Sequence, residues 1–90
     1  MMIEFVWDSG FKRSYKKKIA SNKKLKSKFE ENLKLFAINP FNPLLRTHKL
    51  SGILKDCWAF AVDYDFRIIF KFLTENKVLL IDIGTHDEVY

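Results

Sequence analysis

Ninety residues, 48% of them hydrophobic and nine of them phenylalanine, describe one packed domain spanning 1–90 and exclude a disordered tail. The lone cysteine, Cys57, excludes an intramolecular disulfide, and no apolar run reaches the ~20 residues of a membrane span. The net charge is +5, and Met1-Met2-Ile3-Glu4 lacks the basic-then-apolar order of a secretory signal, so the chain reads as cytoplasmic.

Ile3–Trp7 is rich in β-favouring residues and predicts a short strand. Asp8 or Ser9 can cap the helix that follows. Phe11, Tyr15 and Ile19 recur every four residues and make one apolar stripe, with Lys12, Arg13, Lys16 and Lys17 facing water. Ser21-Asn22 breaks the pattern. Leu25, Phe29, Leu33 and Phe36 then mark a second helix, ended at Asn39-Pro40 because a residue before proline avoids the α region. Leu44–Leu50 reads as an extended segment or short strand, turned by Ser51-Gly52. Three strands follow, over Cys57–Asp63, Phe66–Leu73 and Val78–Gly84, joined by Tyr64-Asp65 and by a hairpin loop at Thr74-Glu75-Asn76. Connections this short force antiparallel neighbours. The expected class is α+β: an N-terminal strand, a helical hairpin, then an antiparallel sheet of three to four strands with the helices on one face. Phe66, Ile68, Phe70 and Phe72 would point to that core, leaving Arg67 and Lys71 on an open face.

Charge is unevenly spread. Residues 1–29 carry nine Lys/Arg against two acids, whereas residues 30–90 carry seven against nine. The acid-free block from Lys12 to Lys28 suits a polyanion or an acidic protein that masks it; the plainer reading is a solvated helix face. Lys16, Lys17, Lys23 and Lys24 are its candidate nucleic-acid contacts.

The second half offers groups for chemistry on an RNA backbone. Cutting RNA without a metal requires a base for the ribose 2′-OH, cations for the phosphorane and an acid for the leaving 5′ oxygen. His48 and His86 are the candidate proton-transfer groups, His86 standing where a buried strand ends, held yet near the surface. Arg46, Lys49, Lys55 and Arg67 supply cations, and Arg67 fits a phosphate clamp, although it could also pair with Asp63 or Asp65. Asp65 is a candidate catalytic or positioning carboxylate, or simply the turn residue its type favours. Phe66 and Tyr90 join the nucleic-acid contacts, Tyr90 as a stacking platform or a frayed terminus. The acids are mostly scattered singly, which does not suit a two-metal nuclease, so no metal or cofactor is expected. Cys57 reads as a small buried side chain.

The order of strand, helical hairpin, His48-Lys49-Leu50-Ser51-Gly52, Asp65-Phe66-Arg67-Ile68-Ile69-Phe70 and Ile83-Gly84-Thr85-His86 resembles the RelE/ParE toxin superfamily over essentially the whole chain. The HKLSG and terminal IGTHDEVY elements are most similar to its YafQ-like branch. The resemblance implies a type II toxin that cuts messages on the ribosome by 2′-OH attack. It also implies inhibition by a cognate antitoxin in a hetero-oligomeric complex. It places His48, Asp65 and His86 at catalytic positions, Arg67 at a phosphate contact and Tyr90 at the terminal aromatic. The chain departs from that branch at Ala61, where the branch has a histidine, and at Asp82, where it has an arginine. The alternatives are a ParE-like gyrase inhibitor, which needs neither His48 nor His86, and a degenerate toxin that keeps only antitoxin binding.

Overall fold

The computed structural model describes residues 3–89. Its elements are β1 (Glu4–Trp7), α1 (Ser9–Lys18), α2 (Lys23–Ile38), β2 (His48–Lys49), β3 (Trp58–Ala61), β4 (Phe66–Thr74), β5 (Lys77–Thr85) and α3 (His86–Val89), with 3₁₀ turns at Pro43–Leu45 and Gly52–Leu54. The five strands form one sheet in the order β1-β5-β4-β3-β2. The α+β expectation holds, and the antiparallel pairing holds from β2 to β5. β1 adds a parallel edge, with Val6 opposite Leu79. That pairing is open to it because most of the chain intervenes and serves as the long crossover parallel neighbours require. Leu44–Leu50 is mostly turn, and only His48-Lys49 pairs as strand.

Both helices begin where their caps dictate. The Asp8 carboxylate accepts from the Gly10 amide at 2.9 Å, and the Asn22 side chain accepts from the Leu25 amide at 3.0 Å, each satisfying an N–H that the helix leaves unpaired. The predicted stripes meet the sheet. Phe11, Ile19, Leu25, Phe29 and Phe36 are buried with Phe60, Ile68, Phe70, Val78, Leu80 and Ile83. Phe36 sits at the centre, its ring 5.0 Å from those of both Phe60 and Phe70. Trp7 meets Phe11 edge-on at 4.9 Å, an arrangement aromatic quadrupoles favour.

β1 covers only the first half of β5, and α1 covers the rest of that edge. The Asp8 amide donates to the Leu80 carbonyl at 3.0 Å, Ser14 Oγ donates to Asp82 Oδ1 at 2.6 Å, and Lys18 Nζ donates to the Ile83 carbonyl at 2.8 Å. The edge is therefore closed to further strands. Asp82 works here as the bolt between α1 and β5. No helix among the described residues is long and apolar enough to cross a membrane.

The sheet face expected to be open is partly roofed. Leu50, Cys57, Ala59 and Ile69 form a second small core on it, with Leu54, Ile81 and Val89 packed against them. Cys57 is buried there, as its type suggests. What remains uncovered is the end of the face where β4 begins and β5 ends.

Candidate functional site

At that end, Arg46, His48, Arg67 and His86 line a shallow depression of about 400 Å³. Four candidate residues, from three separate stretches of the sequence, share one wall-less bowl. The geometry behind each is local.

His48 stands opposite Ala59 in the β2–β3 register, which places it on the same face as Arg67, itself opposite Gly84. Its Nδ1 lies 2.7 Å from the Arg46 carbonyl oxygen. A carbonyl only accepts, so Nδ1 carries the hydrogen, and in the neutral ring Nε2 is the basic nitrogen. Arg46 reaches this arrangement in the left-handed region, at φ 52°, a conformation that costs a non-glycine residue about 1–3 kcal/mol and clusters at functional sites. The following 3₁₀-to-strand corner fixes it, and nothing in the sequence marks it.

Arg67 shares the bowl but is not the exposed clamp that strand alternation alone implies: its residue is only 6% exposed. Nη1 donates to the carbonyls of Asp63 (2.6 Å), Tyr64 (2.9 Å) and Phe66 (3.2 Å). The Asp63 carboxylate completes the turn by accepting from the amides of Asp65 and Phe66 at 2.9 and 2.8 Å. Arg67 thus ties down the β3–β4 turn with one nitrogen, and the Nε and Nη2 hydrogens remain for a ligand. It pairs with carbonyls, not with the carboxylates of Asp63 or Asp65.

His86 is the first residue of α3, and three devices hold it. Its amide donates to the Asp65 carbonyl at 2.7 Å. Thr85 and Glu88 form a reciprocal cap: the Thr85 amide donates to Glu88 Oε1 at 2.7 Å, and the Glu88 amide donates to Thr85 Oγ1 at 3.2 Å. The Thr85 amide, then the Lys18 ammonium 3.9 Å away, then the Thr85 hydroxyl hold the Glu88 carboxyl below its ordinary value. Finally, α3 folds back over Gly84, where an added Cβ would lie 2.9 Å from Val89 Cγ2. The T-x-x-E spacing of residues 85–88 signals this cap in the sequence, and Glu88 belongs to the site's framework on that ground. When the His86 ring is charged, Asp87 stands 3.7 Å from its Nδ1.

The remaining candidates lie elsewhere. Asp65 is not among the residues that line the bowl; it lines a neighbouring hollow on the α2 side with Phe66, Lys24, Lys28 and Asp63, and its carbonyl accepts from the His86 amide. Lys49, opposite Trp58, alternates to the other face from His48. Lys55 is exposed after the Gly52–Leu54 turn, and Lys16, Lys17 and Lys23 are exposed on the helices; none lines the bowl. Tyr90 lies outside the described residues. Ala61, opposite Arg67, is buried, and its carbonyl accepts from Asn32 Nδ2 at 2.7 Å. Asn32, 6% exposed, also donates to the Val62 carbonyl at 3.0 Å, so it pins α2 to the strand end behind the site. Among the described residues no three His, Cys, Asp or Glu side chains gather to hold a metal ion.

A family model described as the bacterial toxin of a type II toxin–antitoxin system, YafQ, matches residues 3–90. The chain belongs to the YafQ toxin family. Among solved structures, YafQ of E. coli superimposes with a TM-score of 0.75 at 20% identity, covering 98% of each chain. The toxin-antitoxin complex DinJ-YafQ of E. coli gives 0.72 at 19%, covering 100% of this chain and 99% of that one. The YoeB-YefM complex of Staphylococcus aureus gives 0.74 at 18%, covering 96% and 99%. At such identities the likeness is one of fold. No curated protein sequence matches significantly. In this YafQ-family chain the histidines at 48 and 86 line the bowl, while positions 61 and 82 serve the fold.

Proposed function

We propose that the protein is the toxin of a type II system and an endoribonuclease that cuts mRNA on the ribosome by 2′-OH attack. The observation that carries this reading is the bowl itself: two imidazoles and two guanidiniums converge where the sheet face is bare. His48 Nε2, the nitrogen left without a hydrogen when Nδ1–H bonds the Arg46 carbonyl, takes the 2′-OH proton as the oxygen attacks phosphorus. Arg46 and the Nε and Nη2 donors of Arg67 stabilise the charge building on the phosphorane oxygens. His86, as imidazolium beside Asp87, returns a proton to the departing 5′ oxygen. The products are a 2′,3′-cyclic phosphate and a 5′-hydroxyl end. Asp65 acts through its carbonyl, as a positioning residue for His86.

Two histidines and two arginines in an open bowl give little hold on a flexible strand. A partner that presents the 2′-OH in line with the scissile bond supplies the missing orientation, and a ribosome-held message meets that need. The exposed lysines of α1 and α2, including Lys16, Lys17, Lys23 and Lys24, suit sequence-independent contact with ribosomal RNA, weakening steeply with salt. The family's type II system makes the protein partner an antitoxin. Purified protein with programmed 70S ribosomes should give discrete primer-extension stops, absent without ribosomes and absent for His86→Ala. A folded His86→Ala variant that still cuts would remove His86 from the chemistry, and no stops from wild type would sink the nuclease reading.

A further inference from the structure

The bowl is not isolated. Arg46 and Arg67 also line a second hollow of about 340 Å³, which shares Lys28, Glu31 and Asp63 with the third, of about 610 Å³, beside Lys24 and Ser27. The three hollows adjoin through these shared residues, in order from the histidines, past the β3–β4 turn, to the basic face of α2.

The middle hollow has a floor unlike either end. Leu35, Leu44, Ala61 and Val62 give it apolar walls, with Lys28, Arg46 and Arg67 as its cations. Tyr64 stands at its edge and is 88% exposed, on a turn that Arg67 and the Asp63 carboxylate brace with five hydrogen bonds. A large aromatic ring in water on a rigid turn contributes nothing to the core. It offers a flat face carried on a braced backbone, so binding to it need not order the turn. The Asp63 carboxylate is engaged with the turn's backbone amides, and Glu31 supplies an acceptor of the kind that suits base-edge amines.

We propose that this middle hollow is a nucleobase subsite: it takes the base of the nucleotide adjoining the scissile phosphate, stacked on Tyr64, while Arg46 and Arg67, common to both hollows, bridge the phosphate between them. The inference rests on the RNA-cleavage reading and adds to it a substrate-gripping element outside the bowl. An apolar floor with an aromatic face suits a base, and cations shared with the histidine bowl suit the phosphate linking two nucleotides. Lys28 and Lys24 then receive the next phosphate along the groove.

The test uses isotope-labelled full chain and a 2′-fluoro RNA trinucleotide, which lacks the attacking hydroxyl, beside the same trinucleotide with single abasic positions. Amide shifts are expected at residues 28, 44 and 62–64 as well as around 48 and 86. One abasic position should weaken binding about tenfold or more, Tyr64→Ala should weaken the intact probe similarly and erase the abasic difference, and Tyr64→Phe should bind as wild type. The spectra report folding of each variant directly. Shifts confined to the histidine bowl, with Tyr64→Ala unchanged in Kd, would overturn the subsite and leave the nuclease reading standing. No saturable binding by folded wild type would also overturn it, and ribosomal cleavage by the same preparation decides whether the nuclease reading falls too.

Discussion

Gly84 offers a way to move His86 without touching it. Its backbone is not left-handed, so alanine is conformationally acceptable, but the new Cβ would sit 2.9 Å from Val89 Cγ2 and 3.5 Å from Glu88 Cβ. Carbon atoms rest at about 3.5–4.0 Å, so α3 must retreat by roughly 0.6–1.1 Å. A displacement of ~1 Å at a catalytic group costs on the order of 10²-fold in rate. The fold should persist, because the gain of about 0.4–1 kcal/mol from stiffening the unfolded chain offsets part of a clash of about 1–3 kcal/mol. Gly84→Ala should therefore lose ribosome-dependent cleavage about a hundredfold while remaining folded at the assay temperature. The His86 amide, bonded to the Asp65 carbonyl, should exchange faster. Removing the obstructing methyls in Gly84→Ala/Val89→Ala should restore part of the activity, a coupling that independent sites would not show. Wild-type cleavage and unchanged His86 exchange in Gly84→Ala would refute the idea that α3 holds the histidine in place.

Glu88 has its carboxyl lowered in the folded chain by the Thr85 amide, Lys18 and the Thr85 hydroxyl. Its cap is thus fully present above the ordinary carboxylate value and lost as pH falls through the lower folded value. Acid should loosen the His86 amide before the core melts, and Glu88→Gln should flatten that pH response; identical acid profiles in both proteins would contradict it. Asn32→Ala leaves two buried carbonyls, those of Ala61 and Val62, without donors and should cost about 2–3 kcal/mol in urea unfolding; a loss under about 0.5 kcal/mol would show that water replaces the amide. Arg67→Lys should lose both cleavage and about 1–3 kcal/mol of stability, because one ammonium cannot hold the turn carbonyls and a phosphate together. Full stability with lost cleavage would mean that Arg67 is a phosphate clamp and nothing more.

Much of the fold was legible because it rests on periodicity. Phe11 to Phe36 at helical spacing, and Ile68 and Phe70 at alternation, bury where the pattern says. The parallel place of β1 was not legible, since strand pairing between the chain's two ends leaves no local mark. Nor was the roof of Leu50, Cys57 and Val89, assembled from segments too short and irregular for a period. Among the candidate site residues, the fold gathers His48 and His86 beside Arg46 and Arg67 but leaves Lys49 and Lys55 outside the bowl, a division that follows from strand register. Arg67's burial and Asp65's place in the hollow beside α2 were missed, because alternation fixes the face a side chain takes and not what surrounds or bonds its end group. Nothing in the sequence marks Asn32, whose role depends on where β3 ends. The Asp82 departure reads differently once Ser14 is found bonded to it, as a fold contact in place of a cation.

The most direct test of the central claim, attack by the ribose 2′-OH under the two histidines, is cleavage of a ribosome-bound message with a single 2′-deoxy nucleotide at the mapped cut site, with the ends of the normal products identified by mass spectrometry. The expected result is an uncut deoxy message, with a 2′,3′-cyclic or 3′-phosphate and a 5′-hydroxyl on the all-ribose control. A deoxy message cut at the same place, or a control leaving a 3′-hydroxyl and a 5′-phosphate, would contradict it and place the nucleophile in water.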